Sequence, residues 1–174
     1  MQISFVFGNY AYIGFTSSPG KIIKVDLTTF TEVGSIVTDA ATIGVDLMGF
    51  AAATADGGYG YFGSYDDPAT VIKVDLATLN VEETVTLANG TAASSITLYG
   101  GHAYVGTYSG HIAKIQLSDM SLVVTKRPVV DDAVSYAYVI GSTIYFATQG
   151  QYDYAYLIKY STEDDTFETY QTNH

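Results

Sequence analysis

Cysteine is absent from the 174-residue chain, which removes disulfides, thiolate catalysis and cysteine-bound zinc together. Basic side chains are scarce: seven Lys and Arg stand against 18 Asp and Glu, for a formal net charge of −11. Such a surface repels phosphate backbones. The only adjacent basic pair, Lys126-Arg127, is too little to offset it, so no nucleic-acid partner is expected and the acidity reads as solubility. Long apolar runs are missing too. The longest, around Val45 to Ala55, is broken by Asp46 and Gly49, short of the roughly 20 residues of a membrane-spanning helix. No membrane association is expected. No basic n-region precedes an apolar segment at the N-terminus, so a secretory signal is not expected either, and the compartment is left open. Finally, no segment carries a sustained 3.6-residue apolar period with caps, so helix content should be near zero.

What is present points to strands. Hydrophobic residues make up 48% of the chain and charged residues only 14%, which excludes a disordered chain. Sixteen Tyr, eight Phe and 17 Gly, with many Val, Ile and Thr, favour β-strands punctuated by turns. The chain is long enough for one domain with a sizeable core, residues 1–174.

Internal repetition organises the strands. A Gly followed four residues later by a Tyr occurs as Gly8 with Tyr12, Gly57 with Tyr61, Gly100 with Tyr104 and Gly141 with Tyr145, at Tyr-to-Tyr intervals of 49, 43 and 41 residues. A second anchor follows 10 to 14 residues on, as KIIKVDL (Lys21 to Leu27), TVIKVDL (Thr70 to Leu76), HIAKIQL (His111 to Leu117) and YLIKYST (Tyr156 to Thr162). Its aligned lysines are Lys24, Lys73, Lys114 and Lys159, at intervals of 49, 41 and 45. Two independent anchors keep step four times, giving approximate repeats 1–40, 41–90, 91–132 and 133–174.

Each repeat reads as four strands, A to D. Strand A precedes the Gly-containing hairpin turn, strand B carries the anchor Tyr, and strand C is the KVDL-like segment. Strand C alternates, with Ile23, Val25 and Leu27 on one face and Lys24 and Asp26 on the other. Strand D follows a turn in which Asp26 and Asp75 recur as turn formers. Four short antiparallel strands per repeat of 41 to 49 residues is the pattern of a β-propeller blade. Small residues such as Ala51-Ala52-Ala53 and Ala92-Ala93 suit innermost strands crowded near an axis. A stacked solenoid is the rival, but solenoid repeats are usually shorter or contain helices. The expected fold is therefore all-β, a propeller with four four-stranded antiparallel blades. The first repeat begins with strand A and the last ends with strand D, so no strand is left over to complete a blade from the other end. Three arrangements stay open: a closed four-bladed ring, half of an eight-bladed ring completed by a homodimer, or a piece of a longer array.

The unit resembles YVTN-like and NHL-like propeller repeats, in which an aromatic-containing strand B leads to a strand C of the type x-I-x-K-V-D-L. The residues that carry the resemblance are AYIG at Ala11 to Gly14, AYVG at Ala103 to Gly106 and the two KVDL segments. It covers nearly the whole chain and implies architecture rather than an activity. Tryptophan is absent, so the Trp-Asp signature of WD repeats and the Trp-docking motif of quinoprotein enzymes are both missing.

In this topology the B–C and D–A connections share one rim. The B–C loops bring Tyr65, Asp66, Asp67, Tyr108, His111, Tyr152, Asp153 and Tyr154 there, and the D–A loops add Asp39, Asp46 and Asp131-Asp132. Functional residues of rigid scaffolds usually sit on such loops. Tyrosine stacking combined with carboxylate hydrogen bonding suits a protein or carbohydrate ligand, specifically a sugar or a cationic peptide. As catalysts the carboxylates are unpersuasive, because adjacency in Asp66-Asp67 or Asp131-Asp132 fixes no acid/base separation. Asp66, Asp67 and Asp153 offer oxygens to a hard cation, but no D-x-D-x-D-G loop occurs, and no metal or cofactor is expected. His102, His111 and His174 lack partners at metal-ligand spacing, and no G-x-S-x-G motif is present. The leading expectation is a non-catalytic binding or scaffold module using this rim. The alternative is an architectural fragment that self-associates into a larger ring, and a hydrolase using rim carboxylates is the distant third.

Overall fold

The computed structural model describes residues 2–43, 47–128, 132–150 and 154–172, and these form four separate four-stranded antiparallel sheets. Blade 1 comprises β1 (Gln2–Phe7), β2 (Tyr10–Phe15), β3 (Gly20–Asp26) and β4 (Thr31–Thr38). A four-residue helix, α1 (Ala40–Ile43), lies in the connection to blade 2, in keeping with the near-zero helix content expected. Blade 2 is β5 (Phe50–Asp56), β6 (Tyr59–Ser64), β7 (Thr70–Asp75) and β8 (Val81–Thr86). Blade 3 is β9 (Ala93–Tyr99), β10 (His102–Thr107), β11 (Ile112–Gln116) and β12 (Leu122–Lys126). Blade 4 is β13 (Val134–Ile140), β14 (Thr143–Thr148), β15 (Tyr156–Ser161) and β16 (Phe167–Gln171). Each sheet runs in sequence order from inner to outer strand. β9 and β13 start two residues earlier than the sequence pattern suggests, because bulges opposite Gly106/Thr107 and between Val134 and Tyr136 carry pairing on past the alternating stretch.

Local chemistry sets both kinds of turn. The A–B hairpins need a left-handed residue, supplied by Gly8, Gly57, Gly58, Gly100 and Gly141 at positive φ. In the C–D turns, the Asp26 carboxylate accepts from the Thr28 and Thr29 amides, and Asp75 accepts in the same way from Ala77 and Thr78. These backbone bonds are the main reason both carboxyls titrate below their ordinary value. The recurrence of Asp26 and Asp75 thus has the turn-forming role read from the sequence. Each C–D turn also places one non-glycine residue in the left-handed region: Phe30, Leu79, Met120 and Asp165, at φ of 57°, 63°, 52° and 55°.

Strand alternation gives every blade two apolar faces. In blade 2, Phe62, Ile72 and Val74 pack against Phe5, Tyr12 and Ile22 of blade 1. On its other face, Tyr61 and Val71 pack against Val105 and Ile115 of blade 3. In the third joint, Tyr104 and Ile112 of blade 3 meet Ile144, Phe146, Ile158 and Tyr160 of blade 4. Burying one such side chain contributes about 1.5–3 kcal/mol, so these joints supply most of the core. The inner strands β1, β5, β9 and β13 pack side by side in that order, with no comparable packing from β13 back to β1.

A polar tie repeats at each joint. Lys24 Nζ donates to the Leu76 carbonyl at 2.7 Å, beside the Tyr12 hydroxyl, which donates to the same oxygen at 3.0 Å. Lys73 Nζ donates to the Leu117 carbonyl at 3.1 Å. Lys114 Nζ instead meets the Asp165 carboxylate at 2.8 Å, and the Tyr160 hydroxyl donates to that carboxylate at 3.0 Å. Burial pushes Asp165 up, but the bonds from Lys114 and Tyr160 outweigh it and hold the carboxyl below its ordinary value. Tyr160 is pushed strongly upward, first by burial and then by Asp165. Three of the four aligned lysines, Lys24, Lys73 and Lys114, are therefore ties from one blade to the next.

The inner strands approach so closely that strand B carries Gly63 opposite Ala93, where an added Cβ would overlap the Ala93 methyl. Gly63→Ala should lower stability by about 1–3 kcal/mol, seen as a reduced urea midpoint. An unchanged midpoint would contradict the close approach.

Candidate functional site

The B–C loops and D–A connections are hydrogen-bonded together on one rim. The Tyr65 amide donates to Gly49 at 2.9 Å, Ala69 to Gly90 at 2.7 Å and Gln149 to Ala133 at 2.9 Å. Across the joint between blades 2 and 3, the Ala92 amide donates to the Asp66 carbonyl at 2.8 Å. The Tyr108 amide donates to the Thr91 and Ala92 carbonyls at 3.1 and 3.0 Å. Ala92, itself left-handed at φ 37°, links the two loops.

This bracing brings Tyr65 and Tyr108 together from neighbouring blades. Their rings meet edge to face, with centroids 5.6 Å apart and planes at 76°, a geometry worth about 0.5–1.5 kcal/mol beyond area burial. Tyr65 is exposed and Tyr108 half-buried. Asp67 is exposed beside them and precedes a cis peptide bond to Pro68. Asp66 is turned inward: its Oδ1 accepts from the Met48 amide at 3.0 Å, and its Oδ2 is buried without a hydrogen-bond partner among the described residues. It acts as a loop staple more than as a presented group.

His111, in the same B–C loop as Tyr108, is half-buried, with Nδ1 3.0 Å from Ser109 Oγ. The Arg127 guanidinium donates to the Ser109 carbonyl at 3.1 Å. Burial first, and the Arg127 charge second, push His111 below its ordinary value. Tyr154 belongs to blade 4, where it packs edge to face on Tyr156 at 5.7 Å, away from the Tyr65–Tyr108 pair. Tyr152, Asp153, Asp46 and Asp131 lie outside the described residues. Asp132, expected among the exposed rim carboxylates, is only 4% exposed. It is drawn into the interior just ahead of β13, next to the buried Ala133 and Val134. Among the described residues, no group of three or more His, Asp or Glu side chains gathers to hold a metal ion.

Of the recesses elsewhere, two bear on function. One, about 730 Å³, runs between the outer edges of blades 1 and 2 along Tyr10, Lys24, Gly34 and Leu79. Its cation is already engaged by the Leu76 carbonyl and the Tyr10 ring, so the cleft is a joint between blades more than a binding site. The other, about 270 Å³, lies along the inner strands and is lined by Ala52, Ala53, Ser94, Ser95, Tyr136 and Tyr138. The small residues there suit a crowded axis, and Ser94 and Ser95 donate to the Val134 carbonyl at 2.9 and 2.6 Å.

Blade geometry and blade order decide the fold class. The chain has a β-propeller fold. It is similar to a chain of Kuenenia stuttgartiensis hydrazine synthase, at a TM-score of 0.76 and 18% identity over 95% of this chain and 47% of that one. It is also similar to BamB from Moraxella catarrhalis (0.68 and 15%, covering 92% and 45%) and to the WD40 repeats of RRP9 (0.75 and 12%, covering 97% and 53%). The computationally designed Ika8 protein is similar too, at 0.72 and 10% over 98% and 48%. At such identities the likeness is one of fold, and the chain spans about half the length of these propeller-like chains. No family model and no curated protein matches the sequence.

The rim cluster was only partly accessible to sequence reasoning. Tyr65 and Tyr108 were readable from their loops, whereas Ser109 and Arg127 were not, because Arg127 lies past strand D and meets the B–C loop only in the folded blade. The lowered His111 titration gives a direct check. Following the imidazole by NMR should show a midpoint below the ordinary value of about 6.5. A folded-state value held below the unfolded one favours the native state above that range and is lost as pH falls through it. A midpoint at or above 6.5 would contradict the burial described for His111.

Proposed function

We propose that this chain is a non-catalytic binding or scaffold module whose rim receives a cationic segment of a protein partner between blades 2 and 3. The observation that carries this reading is the Tyr65–Tyr108 pair, braced by backbone bonds from two blades, with Tyr65 and the nearby Asp67 exposed. Phenol rings attract Arg or Lys through their faces, and a chain of net charge −11 steers cations toward it. The rigid loops limit the entropy lost on binding. Asp66 is already engaged with the Met48 amide, which weighs against its use in a paired-carboxylate mechanism. The AYIG, AYVG and KVDL segments support placing the repeats with the YVTN-like units.

A second reading has its own support. The outward faces of blades 1 and 4 carry exposed Val6, Tyr136, Tyr138, Ile140 and Tyr170, as expected of an architectural unit that associates with further blades.

The ligand reading is tested by calorimetric titration of the chain with an Arg/Lys-rich peptide and, separately, with a neutral oligosaccharide. Peptide binding should appear, weaken with added salt and fall at least tenfold in a Tyr65→Ala/Tyr108→Ala variant whose circular dichroism and melting are unchanged. Binding indifferent to both substitutions, or binding of the oligosaccharide alone, would contradict the proposal.

A further inference from the structure

The three internal joints are built from the same repeat positions, and the two terminal blades present the halves of a fourth. On the leading side, each blade offers its anchor Tyr and Lys: Tyr12 with Lys24, Tyr61 with Lys73, and Tyr104 with Lys114. In blade 4 these positions are Tyr145 and Lys159, paired across β14 and β15. Lys159 has no next blade in this chain. Its side chain is 50% exposed, with a 3.5 Å contact to Glu168 of its own sheet. Around it Tyr138, Tyr136, Leu157 and Tyr170 stand exposed, Tyr138 at 65%.

On the trailing side, each blade offers two features of its C–D turn. The first is a leucine whose carbonyl accepts the preceding blade's Lys: Leu76 for Lys24 and Leu117 for Lys73. The second is the left-handed turn residue, which reaches back to the preceding blade. Leu79 lies over Gly34, Met120 is buried in the core shared by blades 2 and 3, and Asp165 holds Lys114. In blade 1 these residues are Leu27 and Phe30. Leu27 is 41% exposed where Leu76 is 2%, and Phe30 is 83% exposed. Beneath them Ile13, Ile23 and Val25 are only half-buried, at the positions where Phe62, Ile72 and Val74 of blade 2 are fully buried.

We infer that the occupant of both faces is a second copy of this chain. In that assembly Lys159 of one copy donates to the Leu27 carbonyl of the other, and Phe30 of the second copy covers Lys159 and Tyr145 of the first. The same joint forms again on the opposite side, so two half-rings close into one ring of eight blades about a two-fold axis. A second copy fits because it brings the missing trailing face and the missing leading face together. The closing joint also has a difference of its own: Ala147 stands in strand B where the internal joints have Gly14, Gly63 and Gly106.

Sedimentation velocity and light scattering of the 174-residue chain at tens of micromolar test this directly. The expected result is a single species of twice the 18.6 kDa chain mass. Phe30 and Lys159 are exposed in the single chain, so substituting them leaves its own core alone. Phe30→Asn, which also suits a left-handed turn position, and Lys159→Glu should each weaken dimerisation at least tenfold without lowering the β-sheet circular dichroism signal. Phe30→Lys should do the same by placing two cations together, and adding Lys159→Asp should restore the dimer. A monomer at these concentrations, a ladder of trimers and larger species, or a dimer indifferent to all four changes would overturn the proposal. None of these readouts involves Tyr65 or Tyr108, so failure here and failure of the rim reading are separable.

Discussion

Everything in this fold depends on face-to-face burial between blades. A four-stranded sheet with apolar side chains on both faces cannot shield them alone, and a ladder of hydrogen bonds does nothing for the faces. Phe62 and Ile72 are fully buried only because blade 1 lies over them, and Val105 and Ile115 only because blade 2 does. The consequence appears where the neighbour is missing. The equivalent positions of blade 1 are half-exposed, and the outward face of blade 4 presents tyrosines to solvent. Stability is then closer to a sum over joints than to a property of any blade.

The joints also carry a directional polar element. A lysine from strand C reaches over a tyrosine of its own strand B to the next blade's C–D turn, where it meets a backbone carbonyl or, in the last joint, a carboxylate. An acceptor that would otherwise be buried unpaired is satisfied, and the cation keeps contact with an aromatic ring, as with Lys73 over Tyr59 at 4.4 Å. Such a tie fixes blade spacing more sharply than apolar packing can, because a hydrogen bond tolerates little change in distance. The rigid array in turn holds the rim loops, so that Tyr65 and Tyr108 keep their edge-to-face geometry without a strand connecting them.

Much of this was legible in the sequence, for a physical reason. Blade architecture is repetitive, so Gly-Tyr and KVDL anchors recur at nearly constant spacing, and alternation in KIIKVDL exposes the two-faced strand. Turn chemistry was equally readable, since Asp26 and Asp75 do locally what Asp does in turns. The purpose of the aligned lysines was not readable, because their acceptors, Leu76 and Leu117, lie 52 and 44 residues away and are backbone oxygens. Asp132 misled for a similar reason: a carboxylate in a loop reads as exposed until the fold draws it inward. Of the rim residues, Tyr65 and Tyr108 could be placed on one rim but not paired, since pairing depends on the Ala92 bridge between their loops.

The central claim, that neighbours rather than ladders stabilise each blade, is tested most directly by native-state hydrogen exchange of the chain at dilutions that keep it monomeric. All four sheets have comparable ladders, so a ladder-based account gives them comparable protection. The account developed from the joints predicts slow exchange in β6, β7, β10 and β11, which have neighbours on both sides, and faster exchange in β14, β15 and β16. Equal protection across the four sheets, or greatest protection in blade 4, would contradict it.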